Sequence, residues 1–351
     1  MSQVEPTGTN HLVGRGVDTG ATMRTTWSQR QMAELSTPWS RALRLGAPIL
    51  NAPMGGVAGG ELASAVSRAG GLGMVGMGSA GSMALLEREA ARPRDAGLPF
   101  GIGLLDWAVA GEPRLLDVAI DASPVLISVS FGDAWPWVER VRDAGITTTA
   151  QIADVETARR AADAGVEVLV ARGAEGGGHG EPLVGTLPLL EGVLNVVSVP
   201  VLAAGGISSP RGLAAILAAG ASGAWLGTAF AACPESLASD AARSALVAAS
   251  GTDTVTTRVF DVALGYPWPA RYPERALRNG FWERWEGHED QLSADSDALS
   301  EFIAARERGD FGYIHIDAGE GVGDLTAVRA ASEVIEQLCT GAADLLGRWT
   351  S

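Results

Sequence analysis

Two glycine-rich segments follow short apolar runs and carry groups that can bind an anion. The first reads AAGGI over 203–207, and the second reads LGT over 226–228. Glycines let a backbone approach a phosphate closely, and backbone N–H groups and hydroxyls can donate hydrogen bonds to it. The alternative is that both segments are tight turns with no ligand. The residues that we predict to bind a phosphate are Gly205, Gly206, Gly227 and Thr228.

A third glycine-rich segment contains a histidine. It reads ARGAEGGGHG over 171–180 and follows another apolar run. A neutral imidazole can accept a proton and a charged one can bind an anion, both near neutral pH. We interpret His179 as the catalytic candidate, and the alternative is an exposed loop histidine. The other histidines have no partner pattern and are interpreted as tail, surface or packing residues: His11, His288 and His315.

Two further segments are typical of loops around a flat ring. The segment 51–60 reads NAPMGGVAGG, and its Met54 could lie against the face of such a ring or fill a gap in the core. The segment 76–81 reads GMGSAG, which formally matches GxGxxG. No acidic residue ends a second strand about 20 positions later, as a dinucleotide-binding turn requires. We interpret this segment as a loop over a cofactor.

An alternation of apolar runs, glycine-rich turns and alanine-rich helices predicts a (β/α)8 barrel. The seventh and eighth strands of such barrels commonly end at a phosphate site, which agrees with the two segments described first. A doubly wound open sheet has the same alternation and is the rival fold. The candidate strands are Ala47–Ala52, Leu72–Met77, Phe100–Leu105, Val125–Ser130, Thr147–Gln151, Glu167–Ala171, Val201–Ala204 and Gly223–Gly227.

The pattern changes after the eighth strand. Residues 235–310 are richer in charge and tryptophan, including Trp268, which predicts a smaller, mostly helical lobe. A helix over Asp324–Leu346 should pack back on the barrel. Helix starts are predicted at Asp154 and at Ser209-Pro210. The predicted divisions are a tail and lead-in over 1–40, the barrel over 41–232, a lobe covering the active site over 233–311, and a C-terminal segment over 312–351.

Composition excludes several classes of partner. The 351 residues carry a net charge of −15, which disfavours a nucleic-acid partner. No run of about 18 apolar residues and no apolar leader core occurs, so neither a membrane span nor a secreted protein is expected. The two cysteines, Cys233 and Cys339, show no disulfide or metal-ligand pattern and are expected to be free thiols in the cytoplasm.

These motifs together resemble the nitronate monooxygenase family, formerly called 2-nitropropane dioxygenases. The resemblance covers about residues 41–230 and is carried by LGAPILNAPMGGVAGGELASAVSRAGGLGMVG (45–76), AQIADVETARRAADAGVEVLVARGAEGGGHG (150–180) and VPVLAAGGISSPRGLAAILAAGASGAWLGTAF (199–230). A weaker similarity is AGEGVG at 318–323. The combination is specific for the FMN-binding barrel and less specific for the substrate.

The resemblance implies non-covalent FMN, with His179 at the position of the family's catalytic histidine. The positions that it places around the flavin or its phosphate are Ala52, Pro53, Met54, Gly55, Gln151, Ala171, Arg172, Gly173, Gly177, Gly178, Gly205, Gly206, Trp225, Gly227 and Thr228. Three positions depart from the family pattern. Leu104 replaces an Asn that lies beside the flavin, and Arg172 and Glu320 each replace a Gln.

The resemblance implies oxidation of alkyl nitronates, or of nitroalkanes, by O2 to a carbonyl compound and nitrite. The alternative is an NAD(P)H-dependent FMN reductase that acts on quinones or enoyl thioesters. A flavin-storage or sensor protein would bind FMN without turnover. An inosine-monophosphate-dehydrogenase-like barrel is disfavoured, because no cysteine lies in the segment 171–180. The expected partners are a small anionic substrate and O2, with a homodimer as a further expectation.

Overall fold

Eight parallel strands form a closed barrel in the computed structural model, which describes residues 35–310 and 312–348. A parallel bridge between Leu50 and Leu72 joins the first strand to the second and closes the sheet. The barrel prediction is therefore confirmed, and the open sheet is excluded. In spatial order the strands are β1 (Ile49–Asn51), β2 (Gly73–Gly76), β3 (Phe100–Leu105), β4 (Leu126–Ser130), β5 (Thr147–Ile152), β6 (Val168–Arg172), β8 (Val201–Ala204) and β9 (Gly223–Leu226).

Helices follow the strands and cover the outside of the barrel. Two predicted caps are confirmed: Asp154 accepts a hydrogen bond from the Thr157 N–H at 2.8 Å, and Ser209 accepts one from the Gly212 N–H at 3.3 Å. The barrel part of the chain ends with the short helix that follows the eighth barrel strand. Its helices are α1 (Pro38–Ala42), α2 (Gly60–Arg68), α3 (Met83–Asp95), α4 (Asp106–Gly111), α5 (Arg114–Asp121), α6 (Val138–Asp143), α7 (Val155–Asp163), α8 (Thr186–Leu194), α9 (Pro210–Ala218) and α10 (Thr228–Ala231).

Apolar side chains pack in two layers because successive residues of a strand face opposite sides of the sheet. One layer fills the barrel and includes Leu50, Met74 and Trp225. The other lies between strands and helices and includes Ile49 and Ile102. Removing each large side chain from water contributes about 1.5–3 kcal/mol. The barrel interior is thus a packed core, and ligands must bind at its rim.

A smaller, mostly helical lobe follows the barrel strands and carries a three-stranded antiparallel sheet. In that sheet β11 (Glu274–Leu277) lies between β10 (Thr254–Thr257) and β7 (Gly178–His179). Strand β7 comes from the segment after β6, so the sheet joins the lobe to the barrel rim. The helices of this part are α11 (Asp240–Ala248), α12 (Val259–Leu264), α13 (Gly280–Trp285), α14 (Glu289–Ala294) and α15 (Ser296–Glu307), with a 3-10 turn at Gly251–Asp253.

The C-terminal segment differs from the prediction in its first turns. The predicted helix from Asp324 begins instead at Ala331, as α16 (Ala331–Gly347), after a 3-10 turn over Glu320–Asp324. The helix does pack back on the barrel, against α9 and α2. Most of the predicted tail and lead-in over 1–40, including His11, lies outside the described residues.

Both cysteines are buried free thiols, as predicted. Desolvation by burial raises the pKa of the Cys339 thiol to about 12 and raises that of Cys233 even further. Both thiols therefore stay protonated at neutral pH and are poor nucleophiles. Among the helices of the described residues, none combines the length and the apolar character needed to cross a bilayer.

The close packing of β2 against α2 predicts how a substitution at Gly73 affects stability. A Cβ on Gly73 would clash with the carbonyl oxygen of Ala63 and lie 2.6 Å from its Cα. We expect Gly73→Ala to lower the free energy of unfolding by about 1–3 kcal/mol, since overpacking displaces the helix. Urea unfolding followed by circular dichroism measures the change. Gly111→Ala is the control, because a Cβ there meets nothing within 4 Å. Equal effects of both substitutions would contradict the packing argument.

Candidate active site

The segments predicted to bind the cofactor meet at the carboxyl ends of the barrel strands. Met54, after β1, lies near the segment after β9, because a Cβ on Gly227 would be 3.7 Å from the Met54 Sδ. The segment 76–81 joins them, since a Cβ on Gly78 would be 2.8 Å from the Gly55 Cα. Three loops that are distant in sequence therefore form one rim, where barrel enzymes place their reacting groups.

The segment after β8 has a backbone that suits a bound anion. Gly205 and Gly206 both have positive φ angles, of 113° and 66°. A Cβ on Gly205 would lie 2.7 Å from the Thr186 Oγ1 and 3.2 Å from the Gly176 backbone nitrogen. Only glycine fits at this meeting point of three segments, the glycine cradle, because a side chain would collide with Thr186 and Gly176. This cradle is where we predict that backbone N–H groups bind a phosphate.

Thr228 is linked to this cradle through the C-terminal glycine segment 318–323. Its Oγ1 accepts a hydrogen bond of 2.9 Å from the Gly319 N–H, and the Glu320 N–H donates to the Glu175 carbonyl at 2.9 Å. The C-terminal glycine segment is thereby tied to the segments after β6 and β9. Because the Thr228 hydroxyl accepts from Gly319, its own hydrogen is available to a bound anion.

Arg172 holds the glycine-rich segment 171–180 in place through hydrogen bonds to its backbone. Its Nη2 donates to the carbonyl oxygens of Gly176, Gly177 and Gly178 at 2.8, 3.1 and 2.8 Å. Burial, with a smaller effect of Arg275, lowers the pKa of Arg172 to about 10. The guanidinium therefore remains charged at neutral pH, and much of its hydrogen-bonding capacity stabilises the backbone that precedes His179.

His179 lies in β7 rather than in an open loop, and a carboxylate from the lobe holds it. Its Nε2 lies 2.9 and 3.0 Å from the two carboxylate oxygens of Asp261, which is 82 residues away in sequence. The Asp261 residue is only 4% exposed. The indole of Trp268 stacks on the imidazole with ring centroids 3.7 Å apart and planes 7° from parallel. Both the orientation and the tautomer of His179 are thereby restricted.

Aromatic side chains line the space beside His179. Trp268 makes edge-to-face contacts with Trp107, Phe131 and Tyr272 at centroid distances of 5.8, 4.9 and 6.4 Å. The Trp268 Nε1 donates to the Ser79 Oγ at 2.9 Å, which ties this aromatic cluster to the loop after β2. Such a wall excludes water and suits a substrate with an apolar portion.

Two predicted positions have surroundings that the sequence did not indicate. Leu104 packs in the layer between strands and helices with Ile102, so it does not face the rim as the family comparison implied. Leu105 faces the rim instead, since it packs with Trp268. Trp225 lies inside the barrel with Leu50. The apolar residue at the third-strand rim is thus Leu105, because neighbouring strand residues face opposite sides.

Sequence reasoning did not find Asp261, and it noted Trp268 only as part of the lobe's composition. No local pattern marks Asp261, which lies within the apolar helix α12. A buried Asp in an apolar helix could have served as a signal, because such residues need a partner. His315, a predicted surface or packing residue, lies with its imidazole 3.9 Å from the Glu274 carboxylate.

The fold and the site define a barrel enzyme of the flavin-dependent oxidoreductases. The sequence model described as nitronate monooxygenase matches residues 37–341, and the chain belongs to that family. The solved nitroalkane oxidase of Streptomyces ansochromogenes superposes with a TM-score of 0.75 at 29% identity. This superposition covers 88% of this chain and 99% of that one.

Curated relatives include two kinds of enzyme. The nitronate monooxygenase of Paraburkholderia phytofirmans is 29% identical over 83% of this chain and 91% of its own length. The (3aS,4S,5R,7aS)-5-hydroxy-7a-methyl-1-oxo-octahydro-1H-indene-4-carboxyl-CoA dehydrogenase of Rhodococcus jostii is 33% identical over 66% of this chain. That alignment spans 65% of the dehydrogenase, slightly less than two thirds of its length. Family membership therefore leaves the substrate open.

The cradle geometry predicts that Gly206→Asp prevents FMN binding while the barrel stays folded. The new carboxylate would add negative charge beside the predicted phosphate position and repel the phosphate. FMN released from the purified variant, quantified by absorbance and mass spectrometry, measures the effect. Gly206→Ala is the matched control, because it has the same strain at positive φ without the charge. Full FMN occupancy in the Asp variant would place the phosphate elsewhere.

Proposed function

We propose that this protein is an FMN-dependent oxidase of nitro compounds. It binds an alkyl nitronate, or forms one from a nitroalkane, and with O2 converts it to a carbonyl compound and nitrite. The proposal is supported by the nitronate monooxygenase family match and by the nitroalkane oxidase of similar structure. The observation that carries it is the contact between the Nε2 of His179 and the buried carboxylate of Asp261.

The carboxylate fixes the proton of a neutral imidazole. With Asp261 ionised, Nε2 must carry the hydrogen that lies between the two groups, so Nδ1 has a free lone pair. Within the described residues Nδ1 makes no hydrogen bond. It is thus the atom that can take the α-proton of a nitroalkane, which leaves the electron-rich nitronate. Asp261 then stabilises the imidazolium that forms.

A preformed nitronate needs no proton removed. In that case a protonated His179 binds the anionic nitro oxygens, and Asp261 keeps the ring in place. The Trp268 stack holds the imidazole plane in both cases. One pair of residues can therefore serve two substrate forms, and the two forms should respond differently to its removal.

FMN supplies the electron acceptor and the site of reaction with O2 when it is bound. We assign its phosphate to the cradle at Gly205, Gly206 and Thr228. We assign its ring system to the rim between Met54 and the segment after β6. The remaining predicted residues of that rim include Gln151, whose N–H donates to the Ser130 Oγ at 3.1 Å. The aromatic wall keeps water from this space.

A second candidate function is oxidoreduction of an acyl thioester. It is favoured by the Rhodococcus relative, whose name specifies a carboxyl-CoA of a bicyclic ring system, and by the aromatic wall around Trp268. Carbon next to a thioester carbonyl is also a carbon acid, so the same imidazole could act on it. Bleaching of the bound flavin without oxygen by NADH, but not by nitronate, would favour this candidate or a quinone reductase.

Several finer expectations accompany the main proposal. They are FMN as the particular flavin, O2 as the oxidant, NAD(P)H as a possible reductant in the second candidate, a homodimer and a cytoplasmic location. We also retain the division of the chain into a barrel over 41–232 and a site-covering lobe over 233–311. It is supported by the contact of Asp261 and Trp268 with His179.

The proposal predicts that His179→Asn retains FMN and loses most activity. The value of kcat/KM should fall by about 10²–10⁴-fold for nitroalkanes, which need a base, and by less for preformed nitronates. Steady-state rates with each substrate form, normalised to flavin content, test this. His288→Asn is the control, because His288 is exposed. Wild-type rates with both forms in His179→Asn would show that this histidine takes no part.

A further inference from the structure

A second group of ionisable side chains lies behind His179, on the face of β11 that points toward it. Glu274 pairs with His179 across the β7–β11 ladder, and Ala276 pairs with Asp317 further along β11. Residues two apart on a strand share a face, so Glu274 lies on the same side as Asp317 and His315. Backbone pairing therefore brings three potential metal ligands together from two segments.

The distances among these groups suit a metal ion. The ligand atoms of Glu274, His315 and Asp317 all lie within 4.8 Å of one another, and those of His179, Asp261 and Glu274 do so as well. An ion bound at about 2.0–2.2 Å from each ligand holds neighbouring donor atoms roughly 3–4 Å apart. Small side-chain rotations would bring the first set to that spacing.

Among the described residues, the partner printed for the Glu274 carboxylate at ion-pair distance is His315, whose Nε2 lies 3.9 Å away. Glu274 is 1% exposed, and its Oε1 has no hydrogen-bond partner. The neighbouring Arg275 donates instead to the Ala174 carbonyl and pairs with Glu320 at 3.2 Å. A buried carboxylate without a partner is costly unless a proton or a cation neutralises it.

We propose that Glu274, His315 and Asp317 bind a divalent first-row transition ion such as Zn²⁺ or Mn²⁺. The set has one nitrogen and two carboxylate donors, which these ions accept and which Mg²⁺ and Ca²⁺ accept less readily. Asp317 is exposed, so an ion can enter from solvent, while Glu274 closes the site from within. Water completes the coordination.

The ion would lie beside the catalytic pair without touching His179. It would connect β11 to the segment 315–317 and add positive charge near Asp261. The metal-site proposal does not depend on the proposed oxidation of nitro compounds, because its test measures binding of an ion and not turnover.

Calorimetric titration of the FMN-loaded protein tests the proposal. The protein is first stripped with a chelator and is then titrated with Zn²⁺, Mn²⁺ or Mg²⁺. We expect saturable binding of about one Zn²⁺ or Mn²⁺ per chain, a higher Tm with the ion, and much weaker Mg²⁺ binding. His315→Ala should weaken binding by at least about tenfold. His288→Ala, at an exposed histidine outside the group, should leave it unchanged.

The Glu274→Gln variant tests whether Glu274 binds a metal ion or is simply a buried carboxyl group that holds a proton. Without metal, we expect the Tm of this variant to be no lower than that of the wild type, since a buried charge is removed. With Zn²⁺, we expect the variant to lack the rise in Tm that the wild type shows. His179→Asn should keep the ion. Absence of saturable binding to the wild type would overturn the proposal. So would binding that survives both His315→Ala and Glu274→Gln, or loss of the ion in His179→Asn.

Discussion

The hydrogen bond between His179 and Asp261 is the interaction on which the active site depends. It joins a barrel segment to a lobe helix across 82 residues of sequence, and the pairing of β7 with β11 maintains it. The glycine segment before His179 is in turn held by the buried Arg172. The His179 imidazole, for which we propose the catalytic role, is therefore positioned by rigid elements on both sides, although it follows a loop that is rich in glycine.

A deep barrel core makes this arrangement possible. Side chains such as Met74 and Trp225 fill the interior, so the fold provides a rigid rim and leaves chemistry to the segments beyond it. In this chain the rim supplies a backbone cradle at Gly205 and Gly206, and the lobe supplies the acid partner and the aromatic wall. Neither part alone contains a complete site.

Most of the barrel could be predicted from sequence because its signals are local. The eight strands occur within a few residues of their predicted positions, and the caps at Asp154 and Ser209 form as expected. The pairing of Asp261 with His179 could not be predicted, because it is fixed by tertiary pairing, although an Asp within an apolar helix is a local signal that such a residue needs a partner. Leu104 shows a different limit: a shift of one residue along a strand changes the face, and Leu105 faces the site instead.

We propose that Asp261 keeps the ring proton on the Nε2 of His179, so that the free lone pair of Nδ1 accepts the proton of a nitroalkane. Rapid mixing without oxygen measures it directly, as the rate at which nitroalkane or nitronate bleaches the flavin of Asp261→Asn. An Asn can turn its side-chain NH2 toward the Nε2 of His179, which then accepts a hydrogen bond and leaves the ring proton on Nδ1, the wrong tautomer for a base. We expect reduction by nitroalkane to slow by about 10²-fold or more and reduction by nitronate to slow much less. A wild-type rate of reduction by nitroalkane in the FMN-loaded variant would show that Asp261 does not set the tautomer of His179.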